Sequence, residues 1–233
     1  MADDSPARPN EDFFEFVDWV VEQASRRGLL VWLVPTWSRF VNTGWADGPI
    51  IFDASNARIF GEFIGGRYPF CPKLIGGDSN PKWTNGLVAR QRAPLVDFEK
   101  PLDPSITLPS PFDLPLNDTY EVWNALAEGI CALETTAWQG AGKPFLTYHP
   151  CPMSFAWSVP ATASNYFGST EWLVLDGCQS GHIDREKLHY DPPVHRWDAR
   201  SSHEPITMMW NAEPVRPVID LESHCQYRIQ IFS

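Results

Sequence analysis

Apolar residues recur at helical spacing in three segments of the chain, and each segment starts after residues that favour a helix N-terminus. The first follows Asn10 and ends at Gly28, the second runs from about Ala57 to Tyr68, and the third follows Asn117-Asp118. The pattern therefore predicts three amphipathic helices. Their predicted apolar faces are formed by Phe13, Phe16, Val17, Val20, Val21 and Ala24, by Ile59, Phe60, Phe63 and Ile64, and by Val122, Trp123, Leu126, Ile130 and Leu133.

Short, continuous apolar runs lie between and after these helices. A continuous run, unlike an alternating one, is typical of a strand that is covered on both faces. The order strand, helix, strand, helix then predicts a parallel sheet with right-handed crossovers. The predicted strands are 29–34, Leu74-Ile75, 145–148, 172–175 and 216–222.

Two stretches lack a clear period. Residues 81–117 are rich in proline, which predicts a long loop or insertion at a functional rim. Residues 183–215 alternate proline, histidine and tryptophan with charges, which predicts irregular or short helical structure.

A polar or aromatic residue follows each predicted strand. Because parallel strands end at one common face, these residues are expected to share it, as they do at the active site of a (β/α)8 barrel. A doubly wound sheet would carry a glycine-rich phosphate loop, and Gly76-Gly77-Asp78 does not continue into one. The sequence therefore predicts an α/β fold of the TIM (β/α)8-barrel type, with residues 1–233 in a single domain.

Charge and composition narrow the class of ligand. The 29 acidic and 18 basic residues give a net charge of -11, which argues against nucleic acid or an anionic membrane as the main partner. Eleven tryptophans suit a neutral ligand with flat apolar faces, such as a sugar, although a tryptophan-rich core is an equal alternative. No run approaches a membrane span of ~18 apolar residues. The start of the chain lacks the features of a signal peptide, so a cytoplasmic location is expected.

Five motifs, each at the end of a predicted strand, carry a resemblance to a known family. The chain resembles the apiosidase-like glycoside hydrolases, that is, glycoside hydrolase family 140 and its unclassified relatives. The motifs occur in the family's order and span roughly residues 8–224. They are Val34-Pro35-Thr36-Trp37 with Val41-Asn42, the Gly-Gly-Asp-Ser-Asn-Pro of 76–81, Thr-Tyr-His-Pro of 147–150, Gln-Ser-Gly-His of 179–182, and the Pro-Val-Ile-Asp-Leu-Glu of 217–222.

The resemblance implies a TIM barrel that cleaves O-glycosidic bonds with two carboxylates and retention of configuration. Asp78 would be the acid/base and Glu222 the nucleophile, with Asp220 as an alternative inward-facing acid. No cofactor or metal is expected, and the partner is a carbohydrate substrate; the oligomeric state is not predicted. The residues expected to bind substrate are Trp37, Asn42, Asn80, Tyr148, His149, Gln179 and His182, with core packing as an equal alternative for Trp37, Tyr148 and Gln179.

The chain departs from the family in two respects. Its nucleophile motif reads Asp-Leu-Glu-Ser in place of Asp-Gly-Glu-Pro, and it supplies only strands corresponding to the third to seventh of a barrel. The expected scaffold is therefore an N- and C-terminally truncated, incomplete barrel, and the alternative function is that of an inactive paralogue or a glycan-binding fragment. A metal-dependent hydrolase using His149 and His182 is a distant third possibility. Cys151 and Cys178 are expected to be buried thiols, not nucleophiles.

Overall fold

The computed structural model describes residues 5–42, 49–77, 80–84, 116–137, 144–151, 162–179 and 203–222. Within them, helices and strands alternate along the chain, as expected for a mixed α/β protein. The elements are α1 (Glu11–Ser25), a 3-10 helix (Ser38–Phe40), α2 (Ala54–Arg67), β1 (Lys73–Gly76), β2 (Lys82–Thr84), β3 (Leu116–Asp118), α3 (Tyr120–Ala137), β4 (Leu146–His149), α4 (Ala163–Phe167), β5 (Asp176–Gln179), α5 (His203–Trp210) and β6 (Val218–Glu222).

The predicted first helix is confirmed, but its buried face differs from the prediction. The Asn10 side chain accepts a hydrogen bond from the Phe13 N–H at 3.2 Å and so caps α1. Phe14 is the residue that enters the core, where its ring meets that of Phe63 at 4.7 Å. The prediction that Phe13, Phe16 and Val20 face the core was wrong. The helix α1 has apolar residues on two sides, and only the side that carries Phe14 contacts α2. These three residues and Trp19 are exposed.

The second and third predicted helices are also confirmed, and glycines bring them unusually close together. Asp53 and Asn56 form a capping box at the start of α2, with hydrogen bonds of 2.8 and 3.0 Å. A Cβ on Gly61 would overlap the backbone carbonyl of Leu126, and a Cβ on Gly129 would overlap that of Arg58. The two backbones are therefore in direct contact. Ile59 and Leu133, predicted on apolar faces, are exposed because they flank this contact.

The strands β1, β4, β5 and β6 form two parallel pairs, in agreement with the predicted parallel arrangement. Leu33 bridges to Lys73 at the start of β1, and β1 pairs with β4 along its length. β4 lies beside β5: just before β5 the Val174 N–H donates to the Leu146 carbonyl at 3.4 Å, and Gly177 of β5 lies against Thr147 and Tyr148 of β4. β5 pairs with β6. The carboxyl ends of β1, β4, β5 and β6 consequently lie at one edge, which we call the strand-end face. An active site built from strand ends requires this arrangement.

Two strand predictions need correction. Residues 29–34 are extended but pair with β1 only at Leu33, and Leu29 and Leu30 are exposed, because no described strand covers their other edge. The predicted strand 172–175 is wrong in register, since pairing begins only at Asp176. Trp172 is buried because its ring packs on that of Phe167, with the ring centroids 4.8 Å apart, and not because it lies in a strand.

The proline-rich stretch begins and ends in a small antiparallel ribbon. β2 pairs with β3 in the register Lys82↔Asp118 and Thr84↔Leu116, while residues 85–115 lie outside the described part. The short helix α5 agrees with the prediction for 183–215. None of the described helices is long and apolar enough to cross a membrane.

A buried ion pair lies at the opposite end of β1 from the strand-end face. Lys73 Nζ is 2.5 Å from Glu134 Oε2 of α3 and also donates to the Tyr68 carbonyl at 2.5 Å. Lys73 is 0% exposed and Glu134 2% exposed. Burial lowers the pKa of Lys73, and the hydrogen bond to Glu134 opposes that shift. The pair therefore depends on both partners being present.

Replacing one partner is expected to destabilise the fold far more than replacing both. Lys73→Met removes the cation that faces the buried Glu134 carboxylate and should lower the free energy of unfolding by about 3–5 kcal/mol, whereas Lys73→Met/Glu134→Leu should recover most of that loss. Denaturant titration of the parent, both single variants and the double variant measures this coupling. A single variant that costs less than about 1 kcal/mol would show that the pair behaves as an exposed one.

Candidate active site

The strand-end face brings together residues that are far apart in sequence. The register of β1 and β4 sets Gly76 opposite His149, and the register of β5 and β6 sets Gln179 opposite Glu222. Each of these residues is the last of its strand. The predicted site residues of four motifs therefore follow or end neighbouring strands along one edge.

Gly76 and Gly77 allow the chain to approach its neighbours closely after β1. Their φ angles are 102° and 119°, in a region that glycine adopts without steric cost. A Cβ on Gly76 would lie 2.6 Å from the His149 carbonyl oxygen, and one on Gly77 would lie 2.5 Å from Cδ2 of Trp37. The Gly77 N–H donates to the same His149 carbonyl at 3.0 Å. The two glycines therefore permit contacts with His149 and Trp37 that no residue with a side chain could make.

Trp37 and His149 form an aromatic wall beside Gly77. Their ring centroids are 5.7 Å apart with an interplanar angle of 38°. Trp37 is half-buried, while His149 is buried. A half-buried tryptophan against a glycine backbone is a surface on which an apolar sugar face can stack.

Tyr148 and Gln179 are fully buried. The Tyr148 ring meets Trp123 edge-on at 5.6 Å and Phe167 at 5.0 Å, contacts that support the packing alternative for this residue. Gln179 lies at the end of β5 beside the backbone of Glu222. Its role in substrate binding stays a prediction.

Asn42 and Asn80 are buried as well, at 0% and 1% exposure. They contact each other through the Asn42 Nδ2 and the Asn80 backbone carbonyl, at 3.3 Å. Direct contact with a sugar stays a prediction for both, and their hydrogen bonds indicate a further role, described below.

The structure locates the predicted carboxylates only in part. Glu222 ends β6, but its side chain lies outside the described residues, as do Asp78 and His182. Asp220 is half-buried, and the Cys178 thiol donates to its Oδ1 at 3.9 Å. Asp176, at the start of β5, accepts a hydrogen bond from the Ser164 N–H at 2.8 Å and so binds the amino-terminal end of α4.

The cysteines near the site are buried thiols, as predicted. Cys151 and Cys178 are both 0% exposed. Burial raises the pKa of Cys178 well above its usual range, and the neighbouring charges of Asp220 and Asp176 raise it further. A thiolate nucleophile is therefore disfavoured at Cys178. Among the described residues, no group of three or more histidine, cysteine and acidic side chains is arranged to hold a metal.

Sequence reasoning missed two contributors to this face. Thr119 precedes α3, and the backbone N–H of Cys151 follows β4; both bind the segment at Asn80 and Pro81. Thr119 carried a signal only as a residue next to the Asn117-Asp118 cap. A backbone N–H carries no sequence signal at all.

Comparison of the sequence with known protein families identifies the family of the chain. The family model for the apiosidase-like catalytic domain matches residues 1–230. The chain belongs to this family. The resemblance carried by the five strand-end motifs is thereby confirmed. No curated protein sequence matches the apiosidase-like chain significantly.

Two solved structures are similar to the apiosidase-like chain in fold. One is a glycoside hydrolase family 5 protein from Bacteroides vulgatus ATCC 8482, with a TM-score of 0.57, 20% identity, and coverage of 91% of this chain and 34% of that one. The other is described as a glycoside hydrolase, with a TM-score of 0.57, 19% identity, and coverage of 91% and 36%. The chain thus spans about a third of the length of these structures. The similarity supports a fold of the TIM-barrel type.

Alanine at Gly77 is expected to cost more stability than alanine at Gly28. Both glycines have positive φ, but a Cβ on Gly28 meets nothing within 4 Å, whereas one on Gly77 meets the Trp37 ring. Gly28→Ala should cost about 1–2 kcal/mol, and Gly77→Ala about 2–5 kcal/mol because the indole must also move. Denaturant titration of the two variants gives the comparison. Equal losses would mean that Trp37 does not rest on Gly77.

Proposed function

We propose that this apiosidase-like chain is a glycoside hydrolase that cleaves O-glycosidic bonds of plant or microbial glycans with retention of configuration. The observation that carries the proposal is the alignment of β1, β4, β5 and β6. Glu222 is the last residue of β6, and in the sequence Asp78 is the second residue after β1, whose carboxyl end lies at the same edge as that of β6. Family membership supports the same reaction class.

The two carboxyl groups take different roles in the proposed reaction. Asp78, protonated, donates its proton to the leaving glycosidic oxygen while Glu222 attacks the anomeric carbon. The bond to the leaving group breaks as the bond to Glu222 forms, giving a covalent glycosyl-enzyme. Asp78 then accepts a proton from water, which attacks the same carbon and releases Glu222.

This mechanism requires a curved sheet. Three inter-strand steps separate β1 from β6, which is about 14 Å along a flat sheet at ~4.8 Å per step. Retention requires carboxyl groups only about 5–5.5 Å apart. A barrel satisfies this requirement because its strand ends curve round a common axis. The proposal therefore includes a barrel in which the segment 29–34 and β1, β4, β5 and β6 correspond to the third to seventh strands.

The proposed substrate contacts come from the aromatic wall and the polar strand ends. Trp37 stacks on a sugar face, and His149, Gln179 and His182 bind hydroxyl groups. The net charge of -11 favours a neutral glycan over a strongly anionic one. No cofactor or metal takes part in this proposal.

A glycan-binding function without hydrolysis is the second candidate. The observation that favours it is the aromatic wall of Trp37 and His149, on which a sugar could stack without any carboxylate taking part. Binding without turnover on an aryl glycoside panel would support it.

The carboxylate assignment predicts a specific pattern of lost activity. On an aryl glycoside that the parent cleaves, Asp78→Asn should lower kcat/KM by about 10²–10⁴-fold, and less for aryl groups that leave without protonation. Glu222→Gln should lose activity for every leaving group, because no group then attacks the anomeric carbon. Steady-state kinetics and the anomeric configuration of the first product, followed by NMR, measure both.

Two further variants complete the design. Glu121→Gln changes an exposed carboxylate of α3 and should leave kcat/KM unchanged. Asp220→Asn tests the alternative acid on β6. Full activity in Asp78→Asn together with loss in Asp220→Asn would move the acid/base to β6, and full activity in both Asp78→Asn and Glu222→Gln would refute the assignment.

A further inference from the structure

Asn80 forms hydrogen bonds with two other parts of the chain: the residues just after β4 and the residues beyond the segment 31–34. Its side-chain Oδ1 accepts a hydrogen bond from the Cys151 N–H, just after β4, at 3.2 Å. Its backbone carbonyl accepts one from Asn42 Nδ2, beyond the extended segment 31–34, at 3.3 Å. Asn80 itself follows β1. Because Asn42 and Asn80 are buried, these bonds are made away from bulk water, where a missing partner is costly.

Thr119 extends the same set of bonds to the start of α3. Its hydroxyl donates to the Pro81 carbonyl at 3.0 Å and accepts from Asn42 Nδ2 at 3.5 Å, which uses the one donor and one of the two acceptor sites of a hydroxyl. The Thr119 N–H donates to the same Pro81 carbonyl at 2.7 Å. We call Asn42, Asn80 and Thr119 the amide brace.

The chain is held on the other side of Asp78 as well. The Gly77 N–H donates to the His149 carbonyl at 3.0 Å, and the Trp37 ring lies against the Gly77 backbone. Only residues 78 and 79 separate Gly77 from Asn80. The described backbone is therefore held by hydrogen bonds on both sides of this pair of residues in the sequence.

We propose that the amide brace consists of positioning residues that hold the backbone on both sides of Asp78 and so set where its carboxyl group meets the glycosidic oxygen. The inference rests on the proposed function, in which Asp78 is the acid/base. Positioning of this kind needs no contact with solvent or substrate, so the buried side chains of Asn42 and Asn80 can perform it. General acid catalysis depends on placement within hydrogen-bond reach of the oxygen, and a shift of about 1 Å costs up to 10²-fold in rate.

The mildest disruption is Thr119→Val, which keeps the side-chain shape, removes the hydroxyl, and leaves the Thr119 N–H on Pro81. Thr119→Ser restores the hydroxyl and serves as the rescue. The matched control is Thr170→Val, because the Thr170 hydroxyl, in the loop between α4 and β5, also donates to a backbone carbonyl, that of Phe167 at 2.7 Å. Asn42→Ala is the stronger disruption, with Asn56→Ala as its control, since Asn56 Nδ2 donates to the Ile51 carbonyl at 2.9 Å.

Two readouts separate positioning from general stability. In the first, the carboxyl group of Asp78 is titrated by ¹³C NMR in protein labelled at aspartate, with Asp78→Asn giving the assignment. Thr119→Val and Asn42→Ala should change its titration, Thr119→Ser should restore it, and the two controls should leave it as in the parent. In the second, kcat on an aryl glycoside should fall roughly 10–100-fold in Thr119→Val with KM nearly unchanged.

Failure of the inference and failure of the proposed function give different results. If Thr119→Val and Thr170→Val have the same Asp78 titration and the same kcat, the brace does not position Asp78 and the inference is overturned. If instead Asp78→Asn keeps full activity, the proposed acid/base is wrong, and the NMR titration alone decides whether the brace acts on Asp78. Should Asn42→Ala fail to fold, the Thr119 series carries the test.

Discussion

The buried amide of Asn80 is the interaction on which the strand-end face depends. It binds the backbone just beyond β4 with its side chain and is bound by Asn42 through its own carbonyl. An apolar side chain in this position would remove the oxygen that accepts the buried Cys151 N–H. The ends of three extended segments are therefore fixed to one another by a residue that lies two positions after Asp78.

The glycines before Asn80 make that arrangement sterically possible. Gly76 and Gly77 let β1 end directly against the His149 carbonyl and the Trp37 ring, at separations that no Cβ would permit. At the other end of β1, Lys73 and Glu134 anchor the strand to α3. The helix layer is itself fixed by the backbone contact between α2 and α3 at Gly61 and Gly129. The segment that carries Asp78 thus follows a strand held at both of its ends.

Much of this fold follows from local sequence signals. The caps at Asn10 and Asp53 and the helical spacing of apolar residues predicted the helices, because those signals act within a few residues. The apolar runs predicted parallel strands, yet 29–34 pairs at a single position and 172–175 does not pair as a strand. An apolar run reports burial, and burial of Trp172 comes from Phe167, so pairing could not be read from the run itself.

The sequence motifs predicted which residues belong to the site, but they did not predict which of those residues contact one another. Trp37, Gly77 and His149 were expected on one face, and the structure brings them together there. The bonds of Asn42, Thr119 and Cys151 join residues 38 to 77 positions apart, and nothing local to those residues specifies their partners. The residue type alone does not distinguish a buried asparagine from a surface asparagine that binds a sugar. Only the tertiary fold distinguishes them.

Glu222 as the nucleophile implies a covalent intermediate, which is directly observable. A panel of activated aryl glycosides with fluorine at C2 would slow breakdown of a glycosyl-enzyme, because the electronegative substituent destabilises the positive charge that develops at the sugar. After acid quenching and peptide mass spectrometry, one sugar mass should appear on the peptide that contains Glu222 and should be absent from Glu222→Gln. A label on Asp220, or hydrolysis that proceeds with inversion and no label, would contradict the retaining mechanism at Glu222.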